Sequence, residues 1–137
     1  MTQEVRDIVL VLDDDEAVRE SLKFALELEG FAVRVCADGG ELLAHPDLDR
    51  ASCLVLDYRM PAMDGFEVLT HLAARGAELP VILITSNVSP SLRHRAAGAG
   101  VLQVLEKPLS DSALLENIHS ALGRAHGRQT GDPPRAR

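Results

Sequence analysis

Five short apolar segments recur along the chain, and amphipathic or polar residues separate them. The apolar segments span residues 8–12, 31–36, 53–57, 81–85 and 101–105. Unbroken apolar runs of this length are typical of strands that are buried on both faces of a parallel sheet. The pattern therefore predicts five strands, and Arg34 within the second indicates a strand near the edge of the sheet.

Helical periodicity fills the spaces between these strands. Apolar residues recur at three- and four-residue spacing between residues 16 and 29, and Gly30 follows as a helix stop. The predicted helices span residues 16–29, 39–44, 66–74, 90–97 and 110–122. We expect Ser110 to cap the last helix and Gly123 to end it.

The alternation of strands and helices predicts the fold class. It implies an α/β fold in which a parallel sheet carries helices on both faces, joined by right-handed crossovers. Five strands fit the flavodoxin-like order 2-1-3-4-5. In such sheets, ligands bind beyond the carboxyl ends of the strands, at the switch point between strands 1 and 3. Functional residues are therefore expected directly after the strands.

Length and composition limit the classes of protein that fit. A chain of 137 residues with 46% apolar and 26% charged residues suits one compact domain. The net charge of −7 argues against a non-specific nucleic-acid binder or a basic protein of membrane surfaces. No apolar run near the N-terminus is long enough for a signal peptide or a membrane span. We expect a soluble cytoplasmic protein in which Cys36 and Cys53, on strands separated by the first, form no disulfide.

Polar residues of complementary chemistry follow four of the five strands. Asp13 and Asp14 follow the first strand, Asp57 ends the third, Thr85 ends the fourth, and Lys107 comes shortly after the fifth. In the order 2-1-3-4-5 these strand ends lie along one rim. Converging carboxylates repel one another unless a cation neutralises them, and hard oxygen ligands suit Mg²⁺. Acids and a metal facing a hydroxyl and an ammonium suit phosphoryl transfer to the central carboxylate.

Each of these residues also has an ordinary structural explanation. The acids at 13–15 would cap a helix, and Asp57 would form a turn. Thr85 would be a β-branched strand residue, and Lys107 would be a solvated loop charge. Their joint occurrence at one rim favours a functional site over four separate coincidences.

With these residues in view, the sequence resembles the receiver domain of two-component response regulators. The resemblance covers residues 8 to about 122 and rests on the segments VLVLDDDEAVRESL, LVLDYRMPAMDGFEVL, PVILITS and AGVLQVLEKPL. In that family a sensor histidine kinase donates a phosphoryl group to one aspartate in a Mg²⁺-dependent step. The resemblance therefore implies a phosphoacceptor signalling protein rather than an enzyme.

The resemblance implies a role for each acid of the rim. Asp57 is the phosphoacceptor. The side chains of Asp14 and Asp57 and the backbone carbonyl of Arg59 bind Mg²⁺, while Asp13 acts largely through a metal-bound water. These assignments are carried over position by position from the matching motifs.

Three further residues are expected to meet the phosphoryl group. By the resemblance, Thr85 hydrogen-bonds to it and reorients, Lys107 pairs with its oxygens, and Ser86 supplies the small side chain beside it. The resemblance also implies a cis peptide bond between Lys107 and Pro108, which places the ammonium group.

One departure from the family concerns the switch. Where the family usually has an aromatic ring that swings inward, this chain has Val104, whose stiff side chain has little reach. A rotating ring therefore cannot report the movement of Thr85. We expect activation to be read instead through the loop after the fourth strand and through the helix at 90–97.

The same reasoning predicts the domain organisation and the partners. We expect residues 1–124 to form the receiver and residues 125–137 to be a flexible basic tail, with no output domain. The segment DYRMP resembles receivers that precede a helix-turn-helix domain, so a fragment of a larger DNA-binding regulator is the alternative to a free-standing receiver. The expected partners are a sensor histidine kinase and a downstream target or phosphotransfer protein, with no direct nucleic-acid or membrane contact. Relatives form homodimers through the fourth helix, the fifth strand and the fifth helix. We expect the same face to be available for a homodimer here.

Two other classes of protein share part of the pattern. A Mg²⁺-dependent phosphatase of the haloacid dehalogenase type places its aspartyl nucleophile and a second acid as D-x-D after the first strand. Here Asp57 follows the third strand, and Arg59 stands two residues further on. A flavodoxin needs a Ser/Thr/Gly loop for the phosphate of its flavin, whereas three acids follow the first strand here.

Overall fold

The computed structural model describes residues 6–129, with side chains described as far as residue 123. The strands are β1 Ile8–Leu12, β2 Ala32–Cys36, β3 Cys53–Asp57, β4 Val81–Thr85 and β5 Gln103–Glu106. The helices are α1 Glu16–Leu28, α2 Gly39–Leu43, α3 Gly65–Ala74, α4 Pro90–Gly98 and α5 Asp111–Gln129, and a 3₁₀ turn spans Leu48–Arg50.

The five strands form one parallel sheet in the order β2-β1-β3-β4-β5, so the predicted fold class is confirmed. Apolar residues cover both faces because successive strand residues point to opposite sides. In β1, Leu10 and Leu12 pack with α2, α3 and α4, whereas Val9 and Val11 pack with α1 and α5. The central strands are therefore apolar at every position, and only their ends are free to carry polar chemistry.

The edge position predicted from Arg34 is also confirmed. Strand β2 pairs only with β1, and Arg34 donates from Nε to Asp47 Oδ2 at 2.9 Å. Arg50 adds a second contact to the same carboxylate. The arginine that interrupts the apolar pattern thus lies at the border of the sheet, where a charged partner can reach it.

Local capping explains where the first and third helices begin. Asp15 caps α1 by accepting from the backbone N–H groups of Ala17 and Val18, as the structural explanation of the acidic run anticipated. Helix α3 begins at a reciprocal capping box between Asp64 and Glu67, which the sequence analysis did not identify. Because Asp15 serves as the cap of α1, only Asp13 and Asp14 of the acidic run remain available for a site at the end of β1.

Two predicted element ends were wrong by two residues or more, and the other ends that differ do so by a single residue. Strand β5 begins at Gln103 instead of residue 101 because the N–H of Val101 bonds to the carbonyl of Ala96 at the end of α4. Helix α5 does not end at Gly123 but continues to Gln129. Gly123 lacks the positive φ that ends a helix, which Gly30 has at 96°, so it stays helical at a cost of about 1 kcal/mol.

The course of α5 also concerns the segment at residues 125–137 that was predicted to be a tail. Residues 125–129, which were predicted to belong to a tail, are helical. Residues 130–137 of the predicted tail lie outside the described part of the chain.

Helix α4 is the helix with the least apolar character. Of its nine residues only Leu92 and Ala96 are buried. Ser89 caps its first turn by accepting from the N–H of Leu92, and Pro90 occupies the first helical position. Few contacts therefore hold this helix against the sheet.

Two further observations concern the cysteines and whether a helix could span a membrane. Cys36 and Cys53 are both buried and unpaired, as predicted, and burial raises the pKa of each thiol to about 12. Among the described helices, none is long and apolar enough to cross a membrane.

Candidate functional site

Three carboxylates meet at the carboxyl ends of β1 and β3. One oxygen from each of Asp13, Asp14 and Asp57 lies within 4.8 Å of the others. Asp13 and Asp57 are buried, whereas Asp14 is exposed. The three side chains predicted to form a cluster are therefore brought together, with one open side toward solvent.

Backbone and side-chain bonds hold Asp13 in place. Its Oδ1 accepts from the N–H of Asp15 at 2.9 Å, and its backbone carbonyl accepts from Arg19 Nη1 at 2.9 Å. Arg19 was not identified from the sequence, although an arginine one turn into the helix that follows the acids was a usable signal. It ties the first turn of α1 to the end of β1 and so orients the acidic loop.

Lys107 reaches across from the loop after β5 to two of these acids. Its Nζ lies 3.4 Å from Asp13 Oδ2 and 3.4 Å from Asp57 Oδ1. The peptide bond between Lys107 and Pro108 is cis, as the resemblance implied. The N–H of Lys107 donates to the carbonyl of Thr85 at 2.9 Å, which keeps this loop beside the end of β4.

The electrostatics of the cluster follow from three negative charges and one positive charge in a half-buried space. Burial, and next the charge of Asp13, raise the pKa of Asp57 from 3.8 to about 6, although Lys107 opposes the shift. For Lys107, burial disfavours the charged form, but Asp57 and Asp13 outweigh it and the pKa is raised. The cluster is thus short of positive charge even with Lys107 present.

This deficit is the test of whether a metal ion fits. An acidic cluster that raises the pKa of its own central carboxylate gains from a divalent cation, and carboxylate oxygens on an open, hydrated side suit Mg²⁺. The residues present therefore fit Mg²⁺, with the three acids as the side chains that would hold it, either directly or through a bound water.

Thr85 lies opposite the acids at the end of β4 and is only 2% exposed. Its Oγ1 accepts a long hydrogen bond of 3.3 Å from the N–H of Asn87. Register places Thr85 beside Glu106, the residue before Lys107. The hydroxyl and the ammonium therefore come from neighbouring strand ends, as predicted.

The remaining predicted residues occupy the rim and the core behind it. Ser86 is exposed directly after Thr85. Arg59 is exposed, and its guanidinium carbon lies 5.7 Å from the centre of the Tyr58 ring. Val104 is buried in β5 beside Leu83, in the apolar cluster that includes α4. The structure thus has an aliphatic contact at the position where the resemblance led us to expect an aromatic ring in the family.

A cluster of rings beside the site was not foreseen. Tyr58 follows Asp57 and packs edge-to-face on Phe66 of α3, with ring centres 5.3 Å apart. The guanidinium carbon of Arg95 lies 4.0 Å from the centre of the Phe66 ring. Arg95 is far from both rings in the sequence, so no local pattern could indicate its contact with Phe66.

A doubly wound sheet with paired acids, a threonine and a lysine at its carboxyl rim defines a class of signalling receiver. A family profile of the response regulator receiver domain matches residues 9–119. The chain belongs to the response regulator receiver family.

Individual relatives narrow the comparison. The chain is 44% identical over 124 residues to the transcriptional regulatory protein FixJ of Azorhizobium caulinodans, covering 88% of this chain and 58% of FixJ. It is 40% identical over 116 residues to the response regulator MprA of Mycobacterium leprae, covering 85% of this chain and 51% of MprA. Its fold matches the chemotaxis protein CheY4 of Vibrio cholerae with a TM-score of 0.80 at 28% identity, covering 86% of this chain and 100% of that one. The chain thus spans between half and three fifths of the length of FixJ and MprA, the two curated relatives.

Proposed function

We propose that Asp57 accepts a phosphoryl group from the phosphohistidine of a sensor histidine kinase. The observation that carries this proposal is the convergence of Asp13, Asp14 and Asp57 with Lys107 at one rim. A carboxylate oxygen of Asp57 forms the new bond to phosphorus while the nitrogen–phosphorus bond of the donor breaks, and the departing imidazole takes a proton. Receiver domains are signalling proteins, and the product here is a phosphoprotein.

The surrounding residues supply the electrostatic part of the transfer. Mg²⁺, when bound, would neutralise the carboxylates and the charge on the transferred group. We assign its protein ligands to Asp14, Asp57 and the carbonyl of Arg59, with Asp13 acting through water. Lys107 pairs with a phosphoryl oxygen from its position 3.4 Å from Asp57.

The other side of the phosphoryl group is assigned to the end of β4. The hydroxyl of Thr85 donates to a phosphoryl oxygen, and Ser86 leaves room beside it. A turn of the Thr85 hydroxyl toward the phosphoryl group weakens its 3.3 Å bond from Asn87. The β4–α4 loop then changes, and a protein surface that reads α4 receives the signal, in a partner or in an attached domain.

The proposal also covers the compartment and the binding partners of the protein. We place the protein in the cytoplasm, because its two buried cysteines are unpaired thiols, as in a reducing environment. The downstream reader is a target or a phosphotransfer protein, and the surface of α4, β5 and α5 also offers a homodimer contact. We propose no direct role in binding nucleic acid, given the net charge of −7.

Acetyl phosphate and Mg²⁺ test the phosphoacceptor directly. We expect intact-protein mass spectrometry to show one added phosphoryl group on the wild-type chain and none on Asp57→Asn. Asp49→Asn, which removes an exposed acid in the 3₁₀ turn, should label like the wild type. An unlabelled wild type, or a labelled Asp57→Asn, would contradict the assignment, and rapid multiple turnover on a phosphate ester would favour the phosphatase alternative.

The surface beside Lys107 suits a docking helix of the kinase. A cavity of about 690 Å³ lies between α1 and the loop after β5, lined by Ala17, Val18 and Ser21 on one side and by Lys107 and Pro108 on the other. Because Lys107 borders both this cavity and the acids, a helix seated here would bring its histidine to Asp57. We assign the cavity to an amphipathic kinase helix.

Two exposed apolar side chains extend this surface along α1. Phe24 is 67% exposed and Leu28 is 71% exposed, and they lie four residues apart on one face of the helix. Large apolar side chains with so much solvent contact are typical of binding surfaces when they adjoin an apolar groove.

Replacing Phe24 with serine should separate docking from chemistry. We expect phosphotransfer from the kinase that labels the wild-type chain fastest to fall at least about tenfold, since one apolar anchor is lost. Labelling by acetyl phosphate, which needs no docking, should stay within twofold. Equal loss with both donors would mean that Phe24 supports the fold rather than the kinase.

A further inference from the structure

A continuous row of rings and guanidinium groups connects the phosphoacceptor loop with α4. Tyr58, the residue after Asp57, packs edge-to-face on Phe66 at 5.3 Å and 72°. Arg95 of α4 covers the Phe66 ring with its guanidinium carbon 4.0 Å from the ring centre. The site thus reaches α4 through two ring contacts on the α3 side, in addition to the aliphatic cluster that Val104 shares with α4.

This row matters because α4 has little else to hold it. Leu92 and Ala96 are its only buried residues, and Arg95 is otherwise exposed. A cation centred over an aromatic face contributes a factor of roughly three to ten to an equilibrium at a half-exposed position. For a helix with two buried side chains, that factor is a large part of its attachment.

The second attachment of α4 leads back to Thr85. The β4–α4 loop is tied to the threonine by the bond from the Asn87 N–H to Thr85 Oγ1, at 3.3 Å. A Thr85 hydroxyl that turns to a phosphoryl oxygen gives up this bond, so phosphorylation frees the N-terminal end of α4 to move away from Phe66. The two contacts therefore hold the same helix, and both belong to the unphosphorylated state.

We propose that Arg95 is a positioning residue that holds α4 against Phe66 in the unphosphorylated state. The inference rests on the proposed function and adds a contact that disfavours the phosphorylated state. A contact made in only one of two states shifts the equilibrium by its own free energy, and the shift appears equally in ligand affinity. Loss of the Arg95 contact therefore favours the phosphorylated state and tightens binding of a phosphoryl analogue at Asp57.

Beryllofluoride with Mg²⁺ is a suitable probe because it mimics the phosphoryl group without being turned over. The chain has one tyrosine and no tryptophan, so its intrinsic fluorescence reports Tyr58, and calorimetry gives an independent affinity. We expect Arg95→Ala to lower the dissociation constant threefold to tenfold. Arg95→Lys keeps a cation over the ring, so its dissociation constant should lie between those of the wild type and Arg95→Ala.

Arg93→Ala is the matched control, since Arg93 is an exposed arginine of the same helix two residues away. Its dissociation constant should equal that of the wild type. Phe66→Leu removes the ring and keeps an apolar side chain, so it should tighten binding like Arg95→Ala, and urea unfolding shows whether each variant folds. Unchanged or weaker binding by a folded Arg95→Ala would overturn the proposal.

A double-mutant cycle separates coupling from a general effect on the fold. In a Thr85→Ala background the link between the site and α4 is absent, so Arg95→Ala should change the affinity less than twofold. A full effect in that background would overturn the proposal. A wild-type chain that does not bind beryllofluoride at all would contradict the phosphoacceptor function itself, which is a different outcome.

Discussion

Replacing Lys107 with methionine is expected to slow the labelling of Asp57 by acetyl phosphate at least about a hundredfold, the usual cost of losing one fixed donor to developing negative charge. The Lys107 ammonium lies 3.4 Å from Asp57 Oδ1, so it is within reach of a phosphoryl group on that oxygen. Methionine keeps the length of the side chain and removes only the charge and the hydrogen bonds. Initial rates of labelling under saturating Mg²⁺ give the measurement.

The chain supplies its own control for this substitution. Its other lysine, Lys23, pairs with Glu27 on α1 at 3.5 Å, so Lys23→Met should label at the wild-type rate. Mg²⁺ binding should tighten in Lys107→Met, because one competing positive charge leaves the acids. A rate within tenfold of the wild type would mean that Lys107 serves only to neutralise the acids before the reaction.

Asp57→Asn is expected to stabilise the metal-free protein at neutral pH. In the native state the pKa of Asp57 is about 6, against 3.8 for the ordinary side chain. The full difference corresponds to about 3 kcal/mol, and screening by solvent at the open side brings it to roughly 1–2 kcal/mol. Urea unfolding without divalent cations measures the gain.

The pH dependence of this gain has a definite sign. A carboxyl whose pKa is raised on folding binds more protons in the native state, so its stabilising contribution is complete below about pH 3.8 and is lost as the pH rises through about 6. The difference between Asp57→Asn and the wild type should therefore be near zero at pH 4 and largest above pH 7. A difference that does not change with pH would contradict the charge repulsion.

Asp47 gives the opposite sign in the same protein. Hydrogen bonds from Arg50 and Arg34 lower its pKa, so Asp47→Asn should destabilise the protein at neutral pH, and the loss should fade as the pH falls.

Saturating Mg²⁺ gives a second test of the charge repulsion at Asp57, because it should stabilise the wild type more than Asp57→Asn.

Elements whose character is local were predictable to the residue. Strands β1, β3 and β4 have the bounds that the apolar runs indicated, since each run is buried on both faces and ends where a polar residue reaches the rim. The predicted strand order was the flavodoxin-like one that five alternating units fit, and it is confirmed. The residues at the strand ends were therefore predictable as neighbours before any distance was known.

Element ends that depend on distant partners were not predictable in this way. Val101 looks like a strand residue, but its N–H is engaged by α4, and β5 begins two residues later. Gly123 looks like a helix end, but the helix continues through it. In both cases the chain satisfied its backbone hydrogen bonds with a partner or a conformation that composition does not reveal.

The strands, the helices and the polar residues at the carboxyl rim were predictable from the chain alone, because they follow from unbroken apolar runs and from a helical period of 3.6 residues. The strand order was predictable as the flavodoxin-like arrangement that five alternating units fit. Three features became evident only in the folded protein: Lys107 lies equally close to two acids, the pKa of Asp57 is raised, and Arg95 covers Phe66. Those features depend on distances of a few ångström between side chains from different elements. Such distances are a property of packing, which no linear pattern encodes.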